Sequence, residues 1–81
     1  MDITLYSIGC PKCTVLKRKM DNKKISYNYI NSLDAVIERN FQEVPQLEID
    51  GKVFSFNDAR KLVDGFDNST SFEEYYLKKA E

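Results

Sequence analysis

The sequence predicts an α/β fold: a four-stranded mixed sheet in the order β-α-β-α-β-β-α, flanked by helices, with one extra helix at the C-terminus. Three observations predict it. Two runs of alternating β-forming residues, at 2–6 and 25–30, bracket a helical stretch, and together they have the length of one strand–helix–strand unit. Asp50-Gly51 separates two further strand-like runs, a strong short-range hairpin signal. The remaining apolar residues recur at helical spacing between these strands and after them.

The elements follow in order. Asp2-Ile3-Thr4-Leu5-Tyr6 alternates and reads as a strand ending near Ser7, and Gly9 supplies a flexible turn after it. From Pro11 to about Asn22 the pattern is helical: Cys13, Leu16 and Met20 share one face, while Lys12, Lys17, Arg18 and Lys19 lie largely off it. Pro11 suits the first helical position, where its missing N–H costs nothing. Ile25 to Ile30 reads as the second strand, parallel to the first through a right-handed crossover. Leu33, Val36, Ile37 and Phe41 give a short helix capped by Asn31 or Ser32. Gln46–Asp50 and Lys52–Phe56 form the hairpin. Asn57 is the expected cap of a third helix carrying Ala59, Leu62, Val63 and Phe66, with Gly65 as its stop. After the polar joint Asp67–Thr70, Ser71 with Glu74 makes a capping-box pattern for a last helix with Phe72, Tyr75 and Tyr76 on one side. Residues 1–81 read as a single domain, its core at about 2–66 and a helical extension at about 71–80.

Composition narrows the function. Charged residues make up 31% of the 81 residues, nearly balanced at a net charge of -1, which is not the electrostatic footprint of a nucleic-acid binder. No apolar run approaches the ~20 residues of a membrane span, and no signal-peptide h-region opens the chain, so a cytoplasmic protein is expected. Histidine is absent, which excludes Cys-His and Ser-His nucleophile pairs and every His-containing metal site. A mononuclear zinc site would have two thiolates and need further carboxylate or water ligands, so no metal site is read.

Chemistry concentrates in Cys10-Pro11-Lys12-Cys13, which holds both cysteines of the chain at the strand-to-helix junction. A loop that short is a poor structural staple, since closing it removes little entropy from the unfolded chain. Beside a strand–helix–strand unit, C-x-x-C reads as a thioredoxin-like redox motif. A thiol attacks a disulfide as its thiolate, and such cysteines titrate at roughly 3.5–7.5. Cys10, at the helix cap, can accept hydrogen bonds from the N–H groups of Lys12 and Cys13 and faces the positive end of the helix dipole. Pro11 holds the turn rigid, and the Lys12 ammonium can add positive charge. Cys13, a turn inside on the apolar face, is expected to be buried. Cys10 therefore attacks, and Cys13 resolves the mixed disulfide. A reading of another class is a thiolate metal or iron–sulfur carrier, in which two chains pool four thiolates.

Pro45, alone, reads as a rigid turn before a strand; with C-x-x-C upstream, it reads as a cis proline facing the thiols. The Val44 backbone is then placed to pair with an extended substrate. Lys17-Arg18-Lys19, with Lys23 and Lys24, reads as a solvated helix face, and Phe54, Phe56, Phe66, Phe72, Tyr75 and Tyr76 as core and last-helix packing.

On Cys10-Pro11-Lys12-Cys13, Val44-Pro45 and Asp58 the chain resembles the glutaredoxin family over about residues 2–66. The resemblance implies a thioredoxin fold, a redox-active Cys10–Cys13 pair with Cys10 as nucleophile, and a cis bond before Pro45. It also implies a monomeric electron donor to protein or small-molecule disulfides that serves cell redox homeostasis. No bound cofactor is implied; glutathione is the expected reductant, held by Lys12, Val44, Pro45 and Asp58. Lys12 stands where the family commonly has tyrosine. Tyr6-Ser7-Ile8-Gly9 lacks the usual basic residue before the motif, Glu43 replaces a threonine, and Ser55-Phe56 replaces a Gly-Gly pair that lets the tripeptide approach the backbone. These departures point equally to a neighbouring subgroup, the donors to ribonucleotide reductase that a thioredoxin-reductase-type flavoenzyme recharges.

Overall fold

In the computed structural model, which describes residues 1–79, strands β1 (Ile3–Ser7), β2 (Asn28–Asn31), β3 (Gln46–Ile49) and β4 (Lys52–Phe54) form one sheet in the order β2-β1-β3-β4. β1 runs parallel to β2 and antiparallel to β3, and β4 is antiparallel to β3, as the expected mixed sheet requires. The helices are α1 (Pro11–Asn22), α2 (Leu33–Glu38), α3 (Phe56–Asp64) and α4 (Phe72–Lys79).

Register decides which face is core. Leu5 lies opposite Leu47 and Ile3 opposite Ile49. All four side chains are buried, with Leu16 and Met20 of α1, Ala59 and Val63 of α3, and Tyr76 of α4. Full burial of such a side chain stabilises by about 1.5–3 kcal/mol. The other face pairs Thr4 with Glu48 and Tyr6 with Gln46 and is only partly covered. There Val36 of α2 is buried, whereas Leu33 and Ile37 are 58% and 62% exposed. Arg39 closes this face: its Nη1 lies 2.7 Å from the Glu48 carboxylate and donates to the Tyr6 hydroxyl at 3.1 Å.

Several boundaries differ from the sequence reading. β2 begins at Asn28, not Ile25, because the Ile25 N–H donates to the Met20 carbonyl at 3.1 Å and its side chain joins the core beneath the end of α1. α2 stops at Glu38, so Phe41 lies beyond it and packs edge-on against Tyr6, with ring centroids 5.1 Å apart. Ser32 is its cap, accepting the Ala35 N–H at 3.3 Å. The hairpin strands end at Ile49 and Phe54. Between them Asp50 (φ 49°) and Gly51 (φ 88°) are both left-handed, as a type I′ turn demands. α3 starts at Phe56 after a Ser55 cap, two residues earlier than an Asn57 cap would allow.

α4 is fixed by aromatic rings. Phe66 meets Phe72 at 5.2 Å and Tyr75 at 5.3 Å between centroids, and Phe54 meets Tyr76 at 6.0 Å. The Ser71 hydroxyl accepts the Glu74 N–H at 3.2 Å, one half of the expected capping box. Gly65 ends α3 in a right-handed conformation (φ −78°). Glycine fits there through close approach: a Cβ would lie 2.6 Å from the Tyr75 hydroxyl, which donates to the Leu62 carbonyl at 2.6 Å. Residue 80, included in the expected extension, is outside the described residues. No helix among the described residues is long and apolar enough to cross a membrane.

Candidate redox-active site

The site begins at the end of β1. Ser7 is fully buried, and its hydroxyl oxygen accepts the Gly9 N–H at 3.0 Å and the Tyr29 hydroxyl at 3.2 Å. These bonds hold a tight turn in which Gly9 takes φ 80°, a conformation that costs a glycine little. The chain thus enters Cys10 along a fixed path. Neither Ser7 nor Tyr29 stood out in the sequence as part of the site; a serine two residues before a glycine at a strand end is the local signal for such a turn.

Cys10 is the N-cap of α1, in extended conformation with Pro11 following, and its sulfur accepts the Cys13 N–H at 3.1 Å. The Lys12 N–H, the other expected donor, does not bond this sulfur: of the first-turn amides, Cys13 meets it. That amide and the open helix N-terminus favour negative charge on Cys10 Sγ once the pair is reduced. Cys13 is 1% exposed and Cys10 half-buried, so the two thiols differ in access as the sequence reading requires. The two sulfurs are joined as a disulfide, with Cα atoms 4.9 Å apart.

The Val44–Pro45 peptide bond is cis, and the Val44 carbonyl lies 4.0 Å from Cys10 Sγ. Gln46 secures this loop, its side-chain amide donating to the Glu43 carbonyl at 3.0 Å. A small cleft of about 80 Å³ opens here, with Lys12, Glu43 and Ser55 on its sides and Val44, Pro45 and Phe56 beside them. The Lys12 ammonium sits 5.6 Å from the centroid of the Phe56 ring. Phe56, read from sequence as packing, therefore also walls this cleft.

Lys12, Val44 and Pro45 thus come together, whereas Asp58 does not join them. Asn57 lines the cleft, and Asp58, the next residue, lines a neighbouring hollow between β4, α3 and α4. Its carboxylate is 3.5 Å from the Ser55 hydroxyl. The basic run of α1 is also less free than a solvated face: Lys17 pairs with Asp21 and Lys19 with Asp64, both at 2.9 Å, and the Lys23 ammonium bonds the Phe66 carbonyl. Among the described residues, no three His, Cys, Asp or Glu side chains converge as a metal site would need.

No protein-family model and no curated protein matches this sequence. Among solved structures, the chain is similar to NrdH-redoxin from Escherichia coli, a glutaredoxin-like protein described as having a thioredoxin-like activity profile. The match has a TM-score of 0.62 at 21% identity and covers 86% of this chain and 100% of that one. The fold is the thioredoxin fold. Within that fold, β1 delivers Cys10 to the start of α1, and the loop before β3 sets the cis proline beside the same sulfur.

Proposed function

We propose that the chain is a small thiol–disulfide oxidoreductase working through Cys10 and Cys13, a glutaredoxin-like electron donor to disulfides. The observation that carries this reading is the asymmetry of the pair. A half-buried sulfur at a helix N-terminus accepts an N–H, stands 4.0 Å from the carbonyl before a cis proline, and is bonded to a sulfur that solvent hardly reaches.

The cycle balances in electrons and protons. Cys10 thiolate attacks one sulfur of the substrate disulfide; that S–S bond breaks, and the far sulfur leaves as a thiolate and takes a proton. Cys13, deprotonated in its turn, attacks Cys10 Sγ and displaces the second substrate thiolate, which is also protonated. The substrate gains two electrons and two protons, and the chain is left with the Cys10–Cys13 disulfide. A dithiol, or two molecules of glutathione, then returns it to the reduced state. Such a cycle calls for a reducing compartment such as the cytoplasm.

For the reductant, a thioredoxin-reductase-type flavoenzyme is the reading we favour, with glutathione a slower route. The cleft at Pro45 has about 80 Å³, against ~300–1,000 Å³ for sites that enclose a small-molecule ligand. Glu43 lines it and opposes an anion. The thioredoxin-like activity profile of NrdH-redoxin supports the same choice. The test is turnover of a small disulfide, bis(2-hydroxyethyl) disulfide, with each reductant in turn. The wild-type chain should turn over with the flavoenzyme at a higher rate than with glutathione, and Cys10→Ser should be inactive with both. Activity surviving in Cys10→Ser would refute the cycle; a clear preference for glutathione would reverse the choice of reductant alone.

A further inference from the structure

The hollow that receives Asp58 has a composition of its own. It encloses about 400 Å³, and its floor is apolar: Phe54 of β4, Leu62 of α3 and Tyr76 of α4, with the backbone of Val53 at its edge. The Phe54 and Tyr76 rings meet edge to face within it, with centroids 6.0 Å apart. Lys52, Lys61 and Lys79, from three different elements, stand around this floor. None of the three has an ion-pair partner among the described residues, although Lys17 and Lys19 do. Asp58 is the lone acid of the lining, so the mouth carries a net positive charge over a half-buried apolar floor.

Helix C-termini favour lysines, which accounts for Lys61 and Lys79, and the Lys52 ammonium lies 5.4 Å from the centroid of the Phe54 ring, at the rim of the same floor. The hollow is also continuous in sequence with the redox cleft. Ser55, Phe56 and Asn57 line the cleft at Pro45, and the next residue, Asp58, lines this hollow, with Lys61 one helical turn farther on.

We propose that this hollow docks an acidic segment, bearing an apolar side chain, of the protein whose disulfide Cys10 reduces; the proposal rests on the oxidoreductase reading. The apolar side chain covers Leu62 and the Phe54 and Tyr76 rings, and the carboxylates meet the three ammonium groups. Complementary charge of this kind mainly raises the rate of encounter and selects among partners.

The probe is the blocked peptide Asp-Glu-Leu-Phe-Asp-Glu, with a control in which lysine replaces each acid, added to the full isotope-labelled chain and followed by amide NMR. The acidic peptide should shift the amides of Val53, Phe54, Lys61, Leu62 and Tyr76, lose these shifts at high salt, and bind Lys61→Glu about fivefold more weakly. Equal binding of the lysine peptide overturns the proposal, as do shifts spread evenly over the lysines of α1. So does an unchanged affinity in Lys61→Glu, which would mean that Lys61 serves its helix alone. Reduction of bis(2-hydroxyethyl) disulfide, measured on the same variant, should be unaffected. Docking without any disulfide reduction would refute the oxidoreductase reading and leave the docking surface; reduction without docking would refute the docking proposal alone.

Discussion

At its N-terminus α1 presents a half-buried sulfur with a single bonded amide, a glycine turn behind it and a small cleft beside it. At its C-terminus the same helix is bound on several sides. Lys19 pairs with Asp64 at 2.9 Å, Lys23 bonds the Phe66 carbonyl, the Asn68 side chain donates to the Lys23 carbonyl at 2.7 Å, and Ile25 folds under Met20. Twelve helical residues separate these ends by about 18 Å. The contrast teaches where stability and reactivity reside: the far end fixes the rod, and the near end keeps a sulfur accessible with little built around it.

Breaking the far end should therefore unfold the protein more readily than it alters the thiol. Phe66, 3% exposed and packed on Phe72 and Tyr75, is the joint between α3 and α4. Phe66→Ala should cost about 3–5 kcal/mol in urea unfolding, while the intact fraction keeps its Cys10 alkylation rate. A stable variant with a changed alkylation rate would dissolve the comparison.

The near end can be adjusted with less effect on stability. Lys12 is exposed and lies over Phe56, so its charge reaches Cys10 through solvent. Lys12→Glu should slow iodoacetamide labelling of the reduced chain about threefold at mildly acid pH, with an unchanged midpoint of unfolding. An identical pH profile would show that the helix N-terminus and the Cys13 amide suffice.

A third effect lies again at the far end. The Tyr27 hydroxyl donates to the Asp21 carboxylate at 2.6 Å; burial first, and then this bond, push its phenol up from 10.0 to about 12. Folding thus favours the neutral phenol. Its contribution is complete below pH 10.0 and is lost as the pH rises through about 12. Tyr27→Phe should flatten the fall in stability across that window; an unaltered slope would place the pH dependence elsewhere.

The strands, the hairpin turn and the C-x-x-C helix were legible because each is a local pattern: period two, two residues suited to left-handed φ, and a proline at the first helical position. Ile25 misled because an alternating run does not reveal that its first apolar residue is drawn beneath a preceding helix. Asp58 was assigned to the redox cleft by resemblance. The helix starts at Phe56 after a Ser55 cap, and Asp58 in its first turn lines the neighbouring hollow, its carboxylate 3.5 Å from the Ser55 hydroxyl at the cleft. The bond that the Tyr29 hydroxyl donates to Ser7 joins residues 22 apart in the chain, and so lay beyond any local pattern.

The division of labour between the thiols is tested most directly by mass spectrometry of Cys10→Ser and Cys13→Ser, each reduced and exposed to bis(2-hydroxyethyl) disulfide over a time course. In Cys13→Ser, Cys10 should take up one mixed-disulfide adduct rapidly and keep it, since nothing remains to displace it. In Cys10→Ser, the buried Cys13 should react far more slowly. Adduct formation on Cys13 as fast as on Cys10 would contradict the account.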